Sequence, residues 1–373
     1  MRHIKFFQDI RKTDVGLAGG KGASLGEMTS VGIPVPPGFV VLANAFDRFV
    51  EETYLKEEIE ARLAEVDPAD TNSVDKASNV LRDVIHDTAM PEDLKEEILG
   101  AFDELFSPTP PAFGHLPSGR GGHAPSHSQR GEFRVAVRSS ATAEDGEVAS
   151  WAGELDTFLN TTRDNVLEKV RECWSSLFTP RAIFYRHEKG LIDAYVSVAV
   201  VVQKMVQSEI SGIAFTVHPV TEDPNQMIIE AGFGLGEAIV SGQITPDSYI
   251  ITKDDMSIFD INIGHQTRKL IKKQTASGSL LEEGKGGVGQ HTPDPPQEGS
   301  SERVDLPEGG NEWIDLDKEQ GEKQKLTGKQ IIELAEICKK IENHYGFPCD
   351  IEWAIENNEI YITQSRPITT LKT

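Results

Sequence analysis

Apolar residues recur at helical spacing in several long segments of the chain. Residues 44–106 are mostly helical in composition, and residues 164–190 carry one apolar stripe that predicts a single helix. The stripes are formed by Phe46, Phe49 and Val50, by Leu94, Ile98, Phe102 and Leu105, and by Val166, Val170, Trp174 and Leu177. A further helix is predicted after Thr327 and Gln330, which form a capping-box pattern, and Gly346 ends it.

Short, densely apolar runs predict strands between these helices. The predicted strands cover residues 39–41, 133–137, 155–160, 196–206, 211–217 and 227–231. We expect the run at 211–217 to pair with the strand at 196–206, which precedes it. Since helices and strands mix without a regular βαβ alternation and no repeat is visible, the pattern favours an α+β fold.

Two segments interrupt this pattern. Residues 107–131 are rich in Ser, Pro, Gly and His, and residues 275–325 are rich in Gly, Glu, Pro and Ser. Their low apolar content predicts mobile insertions. His115, His123 and His127 in the first segment could bind a metal ion, but a histidine-containing loop that binds nothing is the more common case.

The last two predicted strands carry polar side chains on one face. Asp350 and Glu352 lie two residues apart in one apolar run, and Gln364 and Arg366 do the same in the next. Unpaired buried charge is expensive, so a metal ion on the carboxylates and a phosphate on the arginine would compensate it; an edge hairpin with one wet face is the alternative. For Glu352 to face Gln364 and Asp350 to face Arg366, a three-residue loop at 357–359 is required rather than a two-residue turn.

The charge of the chain excludes several classes of partner. The 373 residues hold 37 basic and 60 acidic side chains, a formal net charge of −23, and such a surface repels nucleic acid and anionic membranes. No apolar run reaches the length of a membrane span and no signal sequence is visible, so we expect a soluble, cytoplasmic protein. Cys173, Cys338 and Cys349 are odd in number and lack metal-ligand spacing, which argues against a disulfide framework or a zinc site. No Ser-His-Asp or Cys-His arrangement offers a nucleophile.

Two basic residues are candidates for phosphate contacts. Lys21 lies in a glycine run over residues 16–26, which predicts a loop whose N–H groups approach phosphate oxygens, with a helix starting at Ala23. A plain flexible turn is the alternative. Arg138 ends the predicted strand at 133–137 and opens a polar loop at 139–142, where its planar fork could hold a phosphate. Otherwise it is a surface arginine paired with an acidic neighbour.

Three further segments could line a ligand site. The small residues of 150–154, among them Gly153, suit a loop that closes over a ligand, or an ordinary turn. The end of the apolar strand at 196–206 could frame an adenine with backbone groups and a flat apolar wall, although a core strand reaching the surface is the simpler interpretation. That strand end consists of Gln203, Lys204, Met205 and Val206. The glycines of 230–237 depart from the dinucleotide fingerprint, so nicotinamide binding is discounted.

Taken together, these segments resemble the ATP-binding domain of phosphoenolpyruvate synthase and pyruvate phosphate dikinase, which rifampicin phosphotransferases share. Five motifs occur in the family's order across nearly all of the chain. They are 20–28 (GKGASLGEM), 137–145 (VRSSATAED), 212–216 (GIAFT), 230–237 (EAGFGLGE), and 350–353 (DIEW) with 364–367 (QSRP). The resemblance implies an ATP-grasp fold with ATP and Mg²⁺ between two lobes, which we expect at residues 1–200 and 201–373.

The resemblance also implies roles for individual residues. By matching positions, Lys21 and Arg138 hold phosphates as catalytic residues, and Arg366 clamps the phosphate that is transferred. Glu352 and Gln364 bind Mg²⁺ or stabilise the phosphates. The remaining nucleotide contacts are expected from Gly153, Gln203, Lys204, Met205 and Val206. Such a site works by positioning and charge neutralisation, which fits the lack of a nucleophile.

The sequence departs from the family in one respect. Those enzymes pass the phosphate to a histidine on a swivelling domain, but this sequence ends seven residues after Arg366. A carrier-histidine domain and a pyruvate-binding domain are therefore expected as partners in trans or as parts of a longer enzyme. Two alternatives stay open, namely the ATP-binding half of a rifampicin phosphotransferase and a nucleotide-binding module without turnover.

Overall fold

A five-stranded antiparallel sheet forms the first half of the fold. This computed structural model describes residues 2–107, 133–142, 156–190, 196–273 and 310–369. The strands of the first sheet are β1 (Ile4–Phe6), β2 (Gly38–Val41), β3 (Val135–Ala141), β4 (Thr157–Thr161) and β5 (Val198–Lys204), in the order β1-β2-β5-β3-β4. All of its neighbouring strands are antiparallel.

A six-stranded antiparallel sheet and a two-stranded ribbon form the second half. The strands of the second sheet are β6 (Ile210–Phe215), β7 (Gln226–Phe233), β8 (Asp247–Thr252), β9 (Ser257–Asn262), β12 (Cys349–Glu356) and β13 (Glu359–Pro367), in the order β13-β12-β6-β7-β8-β9. The ribbon pairs β10 (Arg268–Lys272) with β11 (Asn311–Asp315). Mixed helices and antiparallel sheets confirm the α+β class.

The helices pack on both sheets and separate two apolar cores. They are α1 (Val15–Ser30), α2 (Ala43–Glu52), α3 (Leu55–Ala64), α4 (Thr71–Asp87), α5 (Glu92–Leu105), α6 (Val166–Ser175), α7 (Pro180–Glu188), α8 (Glu237–Val240), α9 (Lys318–Gly321) and α10 (Gly328–Tyr345). Alternate residues of β5 serve different cores: Val200 packs with α2 to α7, whereas Val201 packs in a second core with α1, α10 and the second sheet. Helix α1 thus lies between the two sheets.

Among the residues that the structure describes, no helix combines the length and the apolar character that crossing a membrane requires. The three cysteines all lie in this part of the chain, where each is buried and has a free thiol.

Two predicted elements differ in the structure. The helix predicted over 164–190 is broken between α6 and α7, because Thr179 caps a new helix by accepting a hydrogen bond from the N–H of Ala182, and Pro180 occupies its first turn. The predicted pairing of 211–217 with 196–206 is wrong. Strand β5 pairs with β2 and β3, and β6 pairs with β12 and β7 in the other sheet, since the short link between them crosses from one sheet to the other.

The glycine run is helical rather than a loop. Helix α1 already starts at Val15, and its path is interrupted at Gly19, which has φ 67° and ψ 172°. A Cβ on Gly19 would lie 2.2 Å from Oγ of Ser140, so glycine allows both the left-handed conformation and the close approach to β3. The helix start predicted at Ala23 was therefore too late in the chain.

The second segment predicted to be flexible is partly ordered. Residues 274–309 lie outside the described residues, as does nearly all of 107–131, but 310–325 contain β11 and α9. This stretch is fixed by the ion pair of Lys325 with Asp247, at 2.8 Å between Nζ and Oδ1. Both side chains are fully buried, and Tyr249 donates a further hydrogen bond to the same carboxylate. A buried pair with these extra partners fixes the chain before α10.

The capping box predicted before α10 is confirmed. Thr327 and Gln330 exchange side-chain and backbone hydrogen bonds, and Gly346 ends the helix with φ 78°.

Candidate functional site

The closing hairpin has the predicted pairing at its polar end but reaches it by a different route. Glu352 lies opposite Gln364 and Asp350 opposite Arg366, as expected. The predicted three-residue loop is wrong. Glu356 pairs with Glu359 across the two-residue turn Asn357-Asn358, and both asparagines have positive φ, 52° and 64°.

A β-bulge reconciles the short turn with the polar pairing. The register shifts between Glu352 and Trp353, so that Trp353 pairs with Ile362 and Thr363 is the extra residue. Without this insertion, the two-residue turn would place Thr363 opposite Glu352. The bulge therefore brings Gln364 and Arg366 onto the face that carries the two carboxylates.

Arg138 connects the two sheets at this hairpin. It lies in the middle of β3 and is 9% exposed, which corrects the expectation that it ends a strand and opens a polar loop. Its Nη1 donates to the carbonyl of Thr363 at 3.0 Å, and its Nη2 donates to Oε2 of Glu352 at 3.4 Å and to Oε1 of Gln364. One side chain of the first sheet thus contacts three residues of the hairpin, one on β12 and two adjacent ones on β13.

Ser139 and Ser140 explain why the loop was predicted. Both are polar but buried in β3, where Ser140 donates to the carbonyl of Ala18 at 3.0 Å and Ser139 contacts Ser176 at 3.0 Å. Their hydroxyls satisfy neighbouring elements instead of solvent.

Arg366 and Asp350 form a close ion pair beside Arg138. Nε and Nη2 of Arg366 lie 2.8 and 2.7 Å from Oδ2 of Asp350. The side chain of Arg366 is 45% exposed, whereas that of Asp350 is 12% exposed. Burial raises the pKa of Asp350; Arg366 opposes this effect, and the neighbouring Glu352 adds to it. The guanidinium is therefore anchored on one side and open to the cleft on the other.

Lys21 reaches the same cleft from α1. It lies in the first turn after the Gly19 kink, and α1 is tied to the hairpin because Oγ of Ser24 donates to the carbonyl of Ser365 at 2.9 Å.

Farther along α1, buried Glu27 contacts Nε2 of His344 at 2.8 Å. Burial opposes ionisation of Glu27, but hydrogen bonds from the Lys12 N–H and from His344 outweigh it and hold its pKa below the usual value.

One large cleft unites most of the predicted site residues. It has a volume of about 1700 Å³, more than a nucleotide fills. Its lining includes Lys21, Arg138, Gln203, Lys204, Met205, Val206, Glu352, Gln364 and Arg366. Gly153 and the rest of the loop at 150–154 lie outside the described residues.

The strand end at 203–206 offers fewer free backbone donors than expected. The N–H of Lys204 donates to the carbonyl of Pro37 at 2.8 Å, and the N–H of Met205 donates to that of Arg134 at 3.0 Å. Gln203 is buried, and its Nε2 lies 3.5 Å from the carbonyl of Pro36. An adenine could therefore use the N–H groups of Lys204 and Met205 only after those bonds break.

The ribbon of β10 and β11 forms a cleft wall that the sequence patterns missed. Leu270 and Trp313 face the cleft from this ribbon. Gly234 has φ 92°, and a Cβ there would lie 2.4 Å from the carbonyl oxygen of Leu270, so glycine at this position allows close packing of the ribbon. The glycine-rich segment 230–237 was the available signal; it argued against a dinucleotide site and is one of the five family motifs, but neither use predicts the ribbon that packs on Gly234.

A chain of polar side chains holds the ribbon across the cleft. Nδ2 of Asn160 on β4 donates to Oδ1 of Asn311 at 2.6 Å, and Nδ2 of Asn311 donates to Glu237 at 3.1 Å. Asn160 is buried and has φ 55°, a conformation that asparagine tolerates better than most residues. Glu237 also lines the cleft, although no role was predicted for it.

The hairpin oxygens suit a magnesium ion in chemistry and direction. Oε2 of Glu352 and Oε1 of Gln364 both point at the same atom, Nη2 of Arg138, so they converge on one position. Oxygen ligands are those that Mg²⁺ prefers, and it commonly keeps water and phosphate oxygens as its other ligands. In the described part of the chain no group of three or more His, Cys, Asp or Glu could hold a metal ion alone, so this pair would need such additional ligands.

Comparison with known proteins finds relatives that match over the whole chain or nearly all of it. A probable phosphoenolpyruvate synthase of Methanocaldococcus jannaschii is 40% identical over 373 residues, which is 100% of this chain and 27% of the relative. A probable phosphoenolpyruvate synthase of Archaeoglobus fulgidus is 42% identical over 371 residues, 99% of this chain and 42% of the relative. The phosphoenolpyruvate synthase of Pyrococcus furiosus is 40% identical over 407 residues, 100% of this chain and 44% of the relative.

The chain spans less than half the length of each of these curated relatives. A family model described as pyruvate phosphate dikinase, AMP/ATP-binding domain, matches residues 15–291 and 294–373, which include every strand except β1. The chain therefore belongs to the pyruvate phosphate dikinase AMP/ATP-binding domain family.

Proposed function

We propose that this chain is the ATP-binding and phosphoryl-transfer part of a phosphoenolpyruvate synthase-type enzyme. It uses Mg-ATP to phosphorylate a carrier histidine on a separate domain or chain, and the phosphate ultimately converts pyruvate to phosphoenolpyruvate. The observation that carries the proposal is the contact of Arg138 with Glu352, Thr363 and Gln364. It joins the proposed phosphate-binding and metal-binding groups, which lie far apart in the sequence.

The fold we propose is a two-lobed ATP-grasp fold with ATP between the lobes, divided near residues 1–200 and 201–373. Two facts support this division. The first sheet and its helices come almost entirely from residues before 205, and the second sheet comes from residues after 209. The cleft between them is lined by residues of both sheets.

The phosphate end of the cleft supplies charge rather than a nucleophile. Lys21, Arg138 and Arg366 place three cations along it, and they offset negative charge on the transferring phosphoryl group. Asp350 fixes the direction of the Arg366 fork. Glu352 and Gln364 would hold Mg²⁺, which when bound neutralises phosphate oxygens. The base would lie against Met205 and Val206, with Gln203 and Lys204 at its edge.

Transfer of labelled phosphate tests this function. The chain is incubated with ATP labelled at the β- or γ-phosphate, alone and with the histidine-bearing domain of a phosphoenolpyruvate synthase relative. We expect label on a histidine of the added domain, stable to base and labile to acid. Tight ATP binding without transfer to the added domain would instead identify a nucleotide-binding module without turnover.

A further inference from the structure

A single guanidinium nitrogen lies against both oxygens that we assign to the metal. Nη2 of Arg138 donates to Oε2 of Glu352 and to Oε1 of Gln364. Nη1 donates to the carbonyl of Thr363. The third nitrogen, Nε, is buried and has no hydrogen-bond partner in the described part of the chain. The side chain is thus held at its tip, with one donor still unsatisfied.

A guanidinium and a divalent cation cannot share this position. Arginine carries its charge at every working pH, so the two ions repel each other. Mg²⁺ also needs the lone pairs of its ligand oxygens at about 2.0–2.1 Å, and these lone pairs already accept hydrogen bonds from Nη2. Binding a metal between Glu352 and Gln364 therefore requires that Nη2 leave both oxygens.

We propose that Arg138 is an internal cation that occupies the metal position while the nucleotide is absent. This inference rests on the function proposed above. Entry of the metal displaces Nη2 from Glu352 and Gln364, and the phosphates of the nucleotide then provide the guanidinium with new acceptors. Metal and nucleotide consequently bind as a pair, and the metal alone binds weakly.

The bulge gives this exchange a fixed pivot. The Thr363 carbonyl accepts from Nη1 at 3.0 Å and belongs to the extra residue of the hairpin, so it is not required for the ladder between β12 and β13. The main chain of Arg138 is held on both sides, where it pairs with Val201 of β5 and Thr157 of β4. Only the guanidinium has to move, by rotation about its contact with Thr363.

Direct binding of Mn²⁺ to the nucleotide-free protein tests the exchange. Free Mn²⁺ is followed by electron paramagnetic resonance in titrations of the wild-type chain, Arg138→Met, Arg138→Lys and Lys12→Met. We expect Arg138→Met to bind Mn²⁺ about tenfold more tightly or better, which corresponds to about 1.4 kcal/mol. Arg138→Lys should lie between it and the wild type, because a single ammonium replaces a fork that contacts three acceptors.

Two controls separate this effect from general charge removal. Lys12 is an exposed cation that lines the same cleft and has no assigned nucleotide contact, so Lys12→Met should bind Mn²⁺ as the wild type does. The gain in Arg138→Met should disappear when Glu352→Gln is added. A gain that persists in this double variant would locate the metal elsewhere and overturn the proposal.

Unchanged Mn²⁺ affinity in folded Arg138→Met would also overturn it, and would make Arg138 a permanent bridge between the sheets. Folding is checked by thermal melting. If Arg138→Met does not fold, an Mn²⁺ affinity of Arg138→Lys equal to that of the wild type would overturn the proposal. Binding of Mn²⁺ with a non-hydrolysable ATP analogue to the wild type tests the proposed function separately. If the wild type binds Mn²⁺ together with the analogue, but the Arg138 variants bind Mn²⁺ no more tightly than the wild type does, the exchange is refuted and the proposed function is not.

Discussion

Replacing Arg366 by alanine should abolish phosphoryl transfer while leaving the protein folded. The Arg366 side chain is 45% exposed but its partner Asp350 is only 12% exposed, and leaving a buried polar group without its partner costs about 1–3 kcal/mol of stability. Loss of an arginine that stabilises a transferring phosphate typically costs about 10³-fold or more in rate, which is about 4 kcal/mol in the barrier. The loss of transition-state stabilisation should therefore exceed the loss of unfolding free energy.

Single-turnover transfer of labelled phosphate to the histidine-bearing domain measures the rate, and urea denaturation measures stability. ATP affinity, measured by equilibrium dialysis, should fall by less than about tenfold, because the interaction strengthens only as charge develops on the phosphate. Arg366→Lys should recover little of the rate, since an ammonium lacks the planar fork.

Arg48→Ala is the matched control for this change. Arg48 also pairs with carboxylates through its guanidinium, with Nε 2.8 Å from Glu52 and Nη1 2.8 Å from Asp93, but it does not line the cleft. Its removal should leave transfer unchanged. The role assigned to Arg366 would be refuted if the transfer rate of Arg366→Ala fell by less than about tenfold, or if that of Arg48→Ala fell equally.

Two further predictions concern Glu352 and Glu27. Glu352→Gln should lower the affinity for ATP in the presence of Mg²⁺ by roughly tenfold or more, because a neutral amide replaces a charged ligand oxygen, and should leave the affinity without Mg²⁺ almost unchanged; equal affinities with and without Mg²⁺ in both proteins would contradict a metal role. For Glu27, whose pKa is held below its ordinary value, the wild type should be more stable than Glu27→Gln above about pH 4.5, and this difference should fade as the pH falls through the lowered pKa. Urea denaturation at several pH values measures it, and a difference that grows towards acid would contradict the assignment.

The sequence predicted the elements whose pattern is local. The capping box at Thr327 and the helical stripes over 44–106 depend on residues three or four positions apart, and they are confirmed. The alternation that places Asp350 and Glu352 on one face of a strand, and Gln364 and Arg366 on one face of the next, is confirmed for the same reason.

Contacts between distant segments were predicted less well. Ser139 and Ser140 looked like a loop because their polarity is visible in the sequence, whereas their buried partners are not. The pairing of β5 with β6 was inferred from proximity along the chain, but the short link between them crosses to another sheet. The packing role of Gly234 could not be inferred without the ribbon strand that lies against it.

The sequence by itself therefore determined the α+β class, the faces of the closing strands and the family to which the chain belongs. Tertiary structure alone decided how those faces meet. Alternation along a strand is fixed by backbone geometry within two residues, but the bulge at Thr363 sets the register, and its carbonyl is bound by Arg138, 225 residues away in the sequence. A contact of that range exists only once both sheets have packed around α1, because no pattern within one segment specifies it.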